Sequence, residues 1–462
     1  MKTLEKFGIQ IPEILLPSHL DVSSWSVIAC DQHTQDRSYW KNVLDCTKGK
    51  PSTLSLILPE VYLNDDDKKE RIASIHNAMK SYLTEGVFAP AKKGCIYIER
   101  TTAYGRVRRG LMICIDLDSY DWRPGSKALI RATEATVKER IPPRMEIRRG
   151  APIESPHIML LANDPDDCLV GGIGAVAKKE SASPFYDGDL MLQSGHISGW
   201  EVYSPEALSD VEKAIEKLAE SGAEKDGSTF LFAVGDGNHS LATAKAVWEE
   251  FKAEQKAKGI AEEELENHPA KYALVEIVNI YDSGLTFEPI HRILFNAEPD
   301  MIIAYVQANL SGTLTICSSE EELEKTVADK NVETARFGFI YTTENKVTHY
   351  ELLSTPVTDL AVSRLQPVLD RFISTQNELI DKANEGGETD EGAKEISIDY
   401  IHGADETLKL GKQNNTLGIL LPPIAKESFF ATISSRGPLP RKSFSMGEAS
   451  EKRFYLECRK LF

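Results

Sequence analysis

The sequence predicts a mixed α/β protein, an α+β arrangement around a mixed sheet with added elements. Two observations carry that expectation. Short apolar runs of strand length alternate with amphipathic helical stretches almost throughout. Hydrophobic residues make up 41% and charged residues 27% of 462 positions, the balance of a globular chain with a sizeable core. There is no internal repeat, and no run approaches the length of apolar residues that a membrane-crossing helix needs. The N-terminal MKTLEKFGIQIPEILL lacks a long apolar stretch and a small-residue cleavage site, so it does not read as a signal peptide, and a cytoplasmic location is expected.

Taken in order, Trp25 to Cys30 (WSVIAC) reads as a buried strand, followed by a polar turn and a helix from about Gln35. Asp66 to Leu83 reads as an amphipathic helix, and Cys95 to Glu99, Arg106 to Asp116 and His157 to Ala162 as strands. Arg131 to Arg140 reads as a helix stopped by Pro142-Pro143. Ser204-Pro205 supplies an N-cap and a first-turn proline for a helix to about Glu220. Thr229 to Val234 is a short buried strand, then comes GDGNHS, then a helix to about Lys258, and Tyr272 to Ile280 is a further strand. After Pro299 follow a helix, a strand, a helix at Ser319 to Val327 with a capping-box start, and a strand near Phe337 to Tyr341. Glu385 to Lys394 is acidic and of low complexity, as a mobile loop is. A strand at Ile396 to Ile401, a helix near Ala404 to Leu410 and a strand at Leu417 to Leu421 complete the series. These divide into an N-terminal α/β region (1–203), a core carrying the glycine turn (204–297), an inserted α/β piece (298–356) and a C-terminal region packing back on the core (357–462).

Fifty-three basic against seventy-one acidic side chains give a net charge of −18, a field that repels duplex DNA and anionic membranes as main partners. From Lys92 to Arg149, however, fourteen Lys and Arg face seven Asp and Glu, which points to a small anionic ligand. Seven cysteines at wide spacing, with no CxxC pair, argue against a disulfide framework or a zinc cluster. Cys95 and Cys114 are expected to be inert core thiols. No two of the ten histidines make an HxxxH pair.

The sharpest feature is Gly235-Asp236-Gly237-Asn238-His239-Ser240 between an apolar strand and a long helix. Glycines let the backbone turn tightly beside a ligand, and the helix that follows aims free N–H groups and its positive dipole end at the turn. That makes an anion site suited to phosphate. Asp236 could cap the helix, hold Mg²⁺ beside a phosphate or act as a base; His239 could contact a phosphate oxygen or shuttle a proton. The blander alternative is a left-handed turn with Asp236 as cap and His239 tucked against the sheet. The spacing is not that of a Walker A loop.

GDGNHSLATAK after a strand resembles the DGHHR-type signature of the ParB and sulfiredoxin-like superfamily. More of the chain is similar to an uncharacterised bacterial family, the domain of unknown function numbered ten-fifteen. The stretches that carry this likeness are WSVIACDQ (25–32), PSTLSLILPEVY (51–62), YGRVRRG (104–110), IRATEATVKERIPPRMEIRRG (130–150), Pro289 to Arg292, Asp399 to Gly403 and the tail Leu439 to Cys458. The resemblance implies a ParB/sulfiredoxin-like core with large N-terminal, inserted and C-terminal elements. It implies a nucleotide ligand, since that superfamily includes CTP-dependent DNA clamps, ATP-dependent sulfinic acid reductases and an ADP-dependent serine kinase. Genes of the uncharacterised family often stand beside serine-biosynthesis genes, which tilts the expectation toward serine or phosphoserine. One histidine of the DGHHR pattern is Asn238 here and its arginine is Ser240, so the phosphate-binding cation must come from elsewhere. No cysteine lies in the turn, which disfavours sulfiredoxin chemistry.

The basic segment offers candidate cations. On a strand Arg106 and Arg108 share one face and Arg109 the other; on the expected helix Arg131, Glu134 and Lys138 share a face, and Arg144, Arg148 and Arg149 follow. Guanidinium forks suit phosphate oxygens, although the same arginines could instead pair with the abundant carboxylates. Asp31-Gln32-His33 would sit at the carboxyl end of the sheet, where Asp31 is a candidate base or otherwise caps the next helix. His291, Arg292 and His402 could meet near the glycine turn, or the histidines could be satisfied structural residues. Pro440 to Glu448 either closes over a phosphate or docks the C-terminus.

The expectation is nucleotide-dependent phosphotransfer on a small hydroxyl metabolite. Gly235, Gly237, Asn238, Ser240, Arg131, Arg144 and Arg292 would hold the nucleotide (ADP or ATP, with CTP a third candidate). Asp236, with Mg²⁺, His239 and Asp31 would act in catalysis, and Glu134, His291 and His402 would contact the substrate, a small anionic metabolite. A non-catalytic nucleotide switch is the alternative. A ParB-type nuclease is disfavoured by the acidic balance and the absence of a clustered carboxylate motif. The sequence is compatible with a homodimer.

Overall fold

Tyr272–Asn279 is buried at every position, as a strand covered on both faces must be. In the computed structural model, which describes residues 2–385 and 394–462, it lies near the middle of a ten-stranded mixed sheet. The order is Tyr186–Asp189, His196–Val202, Cys95–Thr101, Val107–Asp116, Tyr272–Asn279, Met159–Ala162, Phe232–Asp236, Ile130–Ala132, Tyr120–Asp121, with Ile9–Gln10 also paired to Val107–Asp116. Among the first five strands, each runs antiparallel to the one before it; Met159–Ala162 is parallel to Tyr272–Asn279, and Phe232–Asp236 is parallel to Ile130–Ala132. The fold is therefore mixed α/β. Cys95 and Cys114 are fully buried in it, and burial pushes the Cys114 thiol up to about 12, the state of an inert core cysteine.

Two compact units divide the chain: Met1–Leu285 with Gly447–Phe462, and Thr286–Met446. This partition is not the four-segment one that the sequence suggested, because the last sixteen residues return to the first unit. Their return is anchored by short pairings of Arg459–Lys460 with Ile153–Glu154, of Cys458 with Leu15 and of Arg453 with Ile28. Arg459 also lies 2.6 Å from Glu154, and Tyr455 donates to the Ile158 carbonyl at 2.7 Å. The second unit is built on an antiparallel sheet in the order Thr313–Ile316, Thr348–Ser354, Arg336–Thr342, Thr416–Leu420, Phe287–Phe295, Ser397–His402, with Phe444–Met446 on the start of Phe287–Phe295. Its core gathers Phe337, Phe339, Leu365, Leu369 and Leu417 between that sheet and the helices Pro299–Leu310 and Ala361–Glu385.

Most expected elements are present within a few residues. Ser204 Oγ accepts from the Ala207 N–H at 3.0 Å and opens the helix Pro205–Ser221, and Ser319 does the same for Glu320–Val327. Two expectations are corrected. WSVIAC is not a strand: Val22–Trp25 is a short helix capped by Asp21, and only Ile28 makes a bridge. The run is apolar because it is buried, but its polar backbone is satisfied elsewhere, the Val27 N–H by Thr53 Oγ1 and the Ala29 N–H by the Lys452 carbonyl. Arg131 to Arg140 is not a helix either. Ile130–Ala132 is a strand, a loop and one 3-10 turn at Lys138–Arg140 follow, and Pro142 and Pro143 begin the helix Ile141–Arg148 rather than end one. Proline lacks only an N–H that the first turn leaves without an intrahelical partner, so it suits a helix start. The acidic stretch 386–393 lies outside the described residues.

Candidate functional site

The glycine turn forms as the sequence requires. Phe232–Asp236 ends at a register shift between Val234 and Asp236, so Gly235 occupies an irregular strand position. Gly237 follows with φ +82°, and the helix Asn238–Ala257 begins at the next residue. A side chain at 237 would place Cβ 2.6 Å from the His157 carbonyl oxygen, so left-handed backbone and close approach both demand glycine.

Asp236 is held from three sides. Its Oδ1 accepts from the Gly237 N–H at 2.8 Å, while Oδ2 lies 3.3 Å from Lys452 Nζ and 3.4 Å from His157 Nε2. His157 is buried and its Nδ1 donates to the Arg453 carbonyl at 2.8 Å, which fixes the ring with Nε2 toward Asp236. Burial alone would raise the Asp236 pKa, but Lys452, His157 and the Gly237 N–H outweigh it and hold the carboxyl well below its usual range. Lys452 is correspondingly raised, mainly by Asp236 against the opposing effect of burial, with Asp31 and Glu134 adding to it. Lys452 thus feels the charges of Asp236, Asp31 and Glu134. At the edge of this cluster Asn238 Oδ1 is buried and accepts no hydrogen bond from the described residues.

Asp31 is exposed, with Oδ1 accepting from Gln32 Nε2 at 3.0 Å. The Glu60 N–H donates to the Cys30 carbonyl at 2.9 Å, and Glu60 is ion-paired with Arg144. Burial raises the Glu60 pKa, Arg144 opposes this, and the nearby Asp31 adds to the rise. Arg144 and Glu134 therefore belong with the cluster.

Other expected residues are placed differently. His239 Nε2 accepts from the Val137 N–H at 3.2 Å, so that nitrogen is engaged by the backbone. Ser240 is exposed on the helix. Arg131 is buried in a two-pronged pair with Glu224 (3.2 and 2.6 Å), donates to the Ala128 carbonyl and covers the Phe230 ring, so its guanidinium is turned to structure. His291, Arg292 and His402 belong to the second unit. There Arg292 is fully buried, bonded to Gln366 Oε1 at 2.7 Å and to the Ile290 carbonyl, beneath the Tyr400 ring.

The basic segment resolves into pairs. Ten of its fourteen cations are bridged to carboxylates, among them Arg106 to Glu451, Arg108 to Glu276, Arg109 to Asp167 and Asp282, and Arg149 to Glu250. Sequence reasoning missed Lys452, His157 and Glu60. Lys452 and Glu60 lie inside stretches that carried the family likeness, and His157 opens an expected strand, but nothing local marks any of them.

As for a metal, no group of three His, Cys, Asp or Glu with suitable placement exists among the described residues. Both Asp236 oxygens are already engaged, so the residues do not form a protein-held Mg²⁺ site. A phosphate fits better: a helix N-terminus and an ammonium lie at the same turn.

Residues 14–372 match the family described as "Protein of unknown function (DUF1015)". No curated protein matches the chain. Among solved structures, a conserved hypothetical protein from Pyrococcus furiosus aligns over 73% of this chain and 90% of its own at 12% identity, with a TM-score of 0.31. Free serine kinase in complex with AMP aligns over 73% and 88% at 11% identity, TM-score 0.32. SbnI with C-terminal truncation from Staphylococcus aureus aligns over 73% and 83% at 8% identity, TM-score 0.31. Scores this low do not equate individual residues between the chains.

Proposed function

The chain belongs to the DUF1015 family, and from the chemistry of its Asp236 turn we propose that it is a nucleotide-dependent phosphotransferase acting on a small hydroxyl metabolite, with serine or phosphoserine the favoured substrates. The observation that carries this reading is the Lys452–Asp236 pair at the mouth of a strand–glycine turn–helix N-terminus. Gly235 and Asn238 supply backbone N–H groups to phosphate oxygens, the Gly237 N–H being held by Asp236 Oδ1, and Lys452 is the cation that the turn itself lacks. Phosphoryl transfer asks mostly for such positioning and charge stabilisation. Asp236, held ionised by its partners, is too weak a base for a hydroxyl proton and instead orients Lys452. Asp31, exposed beside the cluster, takes the proton. Arg144, held by Glu60, adds positive charge opposite it.

Nucleotide binding is tested by thermal shift with ADP, ATP and CTP, each with and without Mg²⁺. One nucleotide is expected to raise the Tm of the native protein and not that of Asp236→Asn, which stays folded but leaves Lys452 without its partner. An equal shift in both proteins would remove the turn from the reading. A second reading, a non-catalytic nucleotide switch, draws on the fact that Lys452 already has a carboxylate partner, so that phosphate must compete for it. Saturable binding without nucleotide turnover would select that reading.

A further inference from the structure

A groove of about 540 Å³ opens in the first unit, lined by Thr34, Gln35, Glu60, Asn64, Arg140 and Pro143 among others. Asp31 stands three residues before its Thr34 wall, and the Glu60 N–H bond to the Cys30 carbonyl ties the two walls together at that end. Electrostatically Asp31 links both sides, since its charge acts on Glu60 in the groove and on Lys452 at the turn. The lining cations differ in one respect. Arg37 is paired with Asp65 at 2.6 Å and Lys68 with Glu146 at 2.8 Å. Arg140 is exposed and has no carboxylate at ion-pair distance among the described residues, although its charge reaches Glu60. Thr34, Gln35 and Asn64 add neutral hydrogen-bonding groups beside the apolar Val61, Leu63 and Pro143.

We infer that this groove seats the phosphoryl acceptor, and that the acceptor is a small hydroxyl compound carrying its own anionic group, which Arg140 binds. This rests on the phosphotransferase reading and specifies its acceptor side. The acceptor hydroxyl gives its proton to the Asp31 carboxylate, and its oxygen forms a bond to the terminal phosphorus of the nucleotide. The bond from that phosphorus to the nucleotide's bridging oxygen breaks, with the electron pair leaving on the shortened nucleotide; Asp31 then releases its proton to water. An unpaired guanidinium suits a carboxylate or a phosphate monoester and gives no hold on a neutral polyol.

The test is binding by titration calorimetry of D-glycerate, glycerol 3-phosphate and neutral glycerol to the full chain, its Arg140→Met variant and its Asp236→Asn variant. Either D-glycerate or glycerol 3-phosphate is expected to bind saturably, and which of them does so identifies the anionic group; glycerol is not. Arg140→Met, an exposed change that leaves the fold intact, is expected to weaken that binding at least tenfold while leaving nucleotide binding unchanged. Asp236→Asn is expected to do the reverse. No saturable binding by either anion, binding of glycerol as tight as theirs, or an unchanged affinity in Arg140→Met would overturn the acceptor site. Failure of the phosphotransferase reading shows separately, as absent or unchanged nucleotide binding in Asp236→Asn.

Discussion

At position 237 the backbone and the neighbouring strand make the same demand by different means. The left-handed φ of +82° penalises any L side chain, and an added Cβ would sit 2.6 Å from the His157 carbonyl and 3.0 Å from Ile158 Cα, both backbone atoms. Gly237→Ala is therefore expected to destabilise the first unit by about 2–4 kcal/mol, the sum of a left-handed penalty and an overpacking penalty. Urea unfolding followed by tryptophan fluorescence measures it; a loss within a few tenths of a kcal/mol would mean that the turn relaxes. The neighbouring Asp236 was visible as a candidate from its place in the turn. Its function as an anchor was not, because the two groups that set its charge state, His157 and Lys452, lie 79 residues before it and 216 residues after it.

Among the elements, strands and helices were legible wherever one face or both faces are buried regularly. Val107–Asp116 and Pro205–Ser221 follow their apolar patterns. The segment 25–30 misled because burial without alternation looks alike in a central strand and in a buried irregular stretch. The strand Phe287–Phe295 carries a titratable group with a consequence of its own. His291 is buried, its Nδ1 accepts from the Leu421 N–H at 3.0 Å, and burial first, then Arg292 and His402, push its pKa down to about 4. The unfolded chain binds a proton near pH 6.5 that the folded one refuses. The stability conferred by neutral His291 is thus complete above about pH 6.5 and is lost as pH falls toward 4, amounting to about 3 kcal/mol. His291→Asn, whose Oδ1 can accept from the same N–H, is expected to flatten this acid limb in denaturant titrations that follow the second unit by amide exchange. An unaltered limb would assign the acid sensitivity to other groups.

For the whole molecule, charge is the property that changes meaning most between sequence and structure. The excess of cations between Lys92 and Arg149 reads as a basic patch in one dimension, yet its partners come from distant parts of the chain: Glu201, Glu250, Glu276, Asp282 and Glu451. With net charge −18 and most of those cations neutralised, duplex DNA is expected to show no retardation with this protein even at low salt. A salt-sensitive complex in a gel-shift titration would contradict this. By itself the sequence determined the mixed α/β class, the strand–turn–helix around Asp236 and the family, because periodicity, glycine placement and capping act over a few residues. Only the tertiary structure decided which charges share the site. It returned the C-terminal tail to the first unit to bring Lys452 to Asp236, assigned Arg131 to Glu224 and, among the described residues, left Arg140 with no carboxylate at ion-pair distance. Ion pairing depends on distances between segments far apart in the chain, which local patterns do not encode.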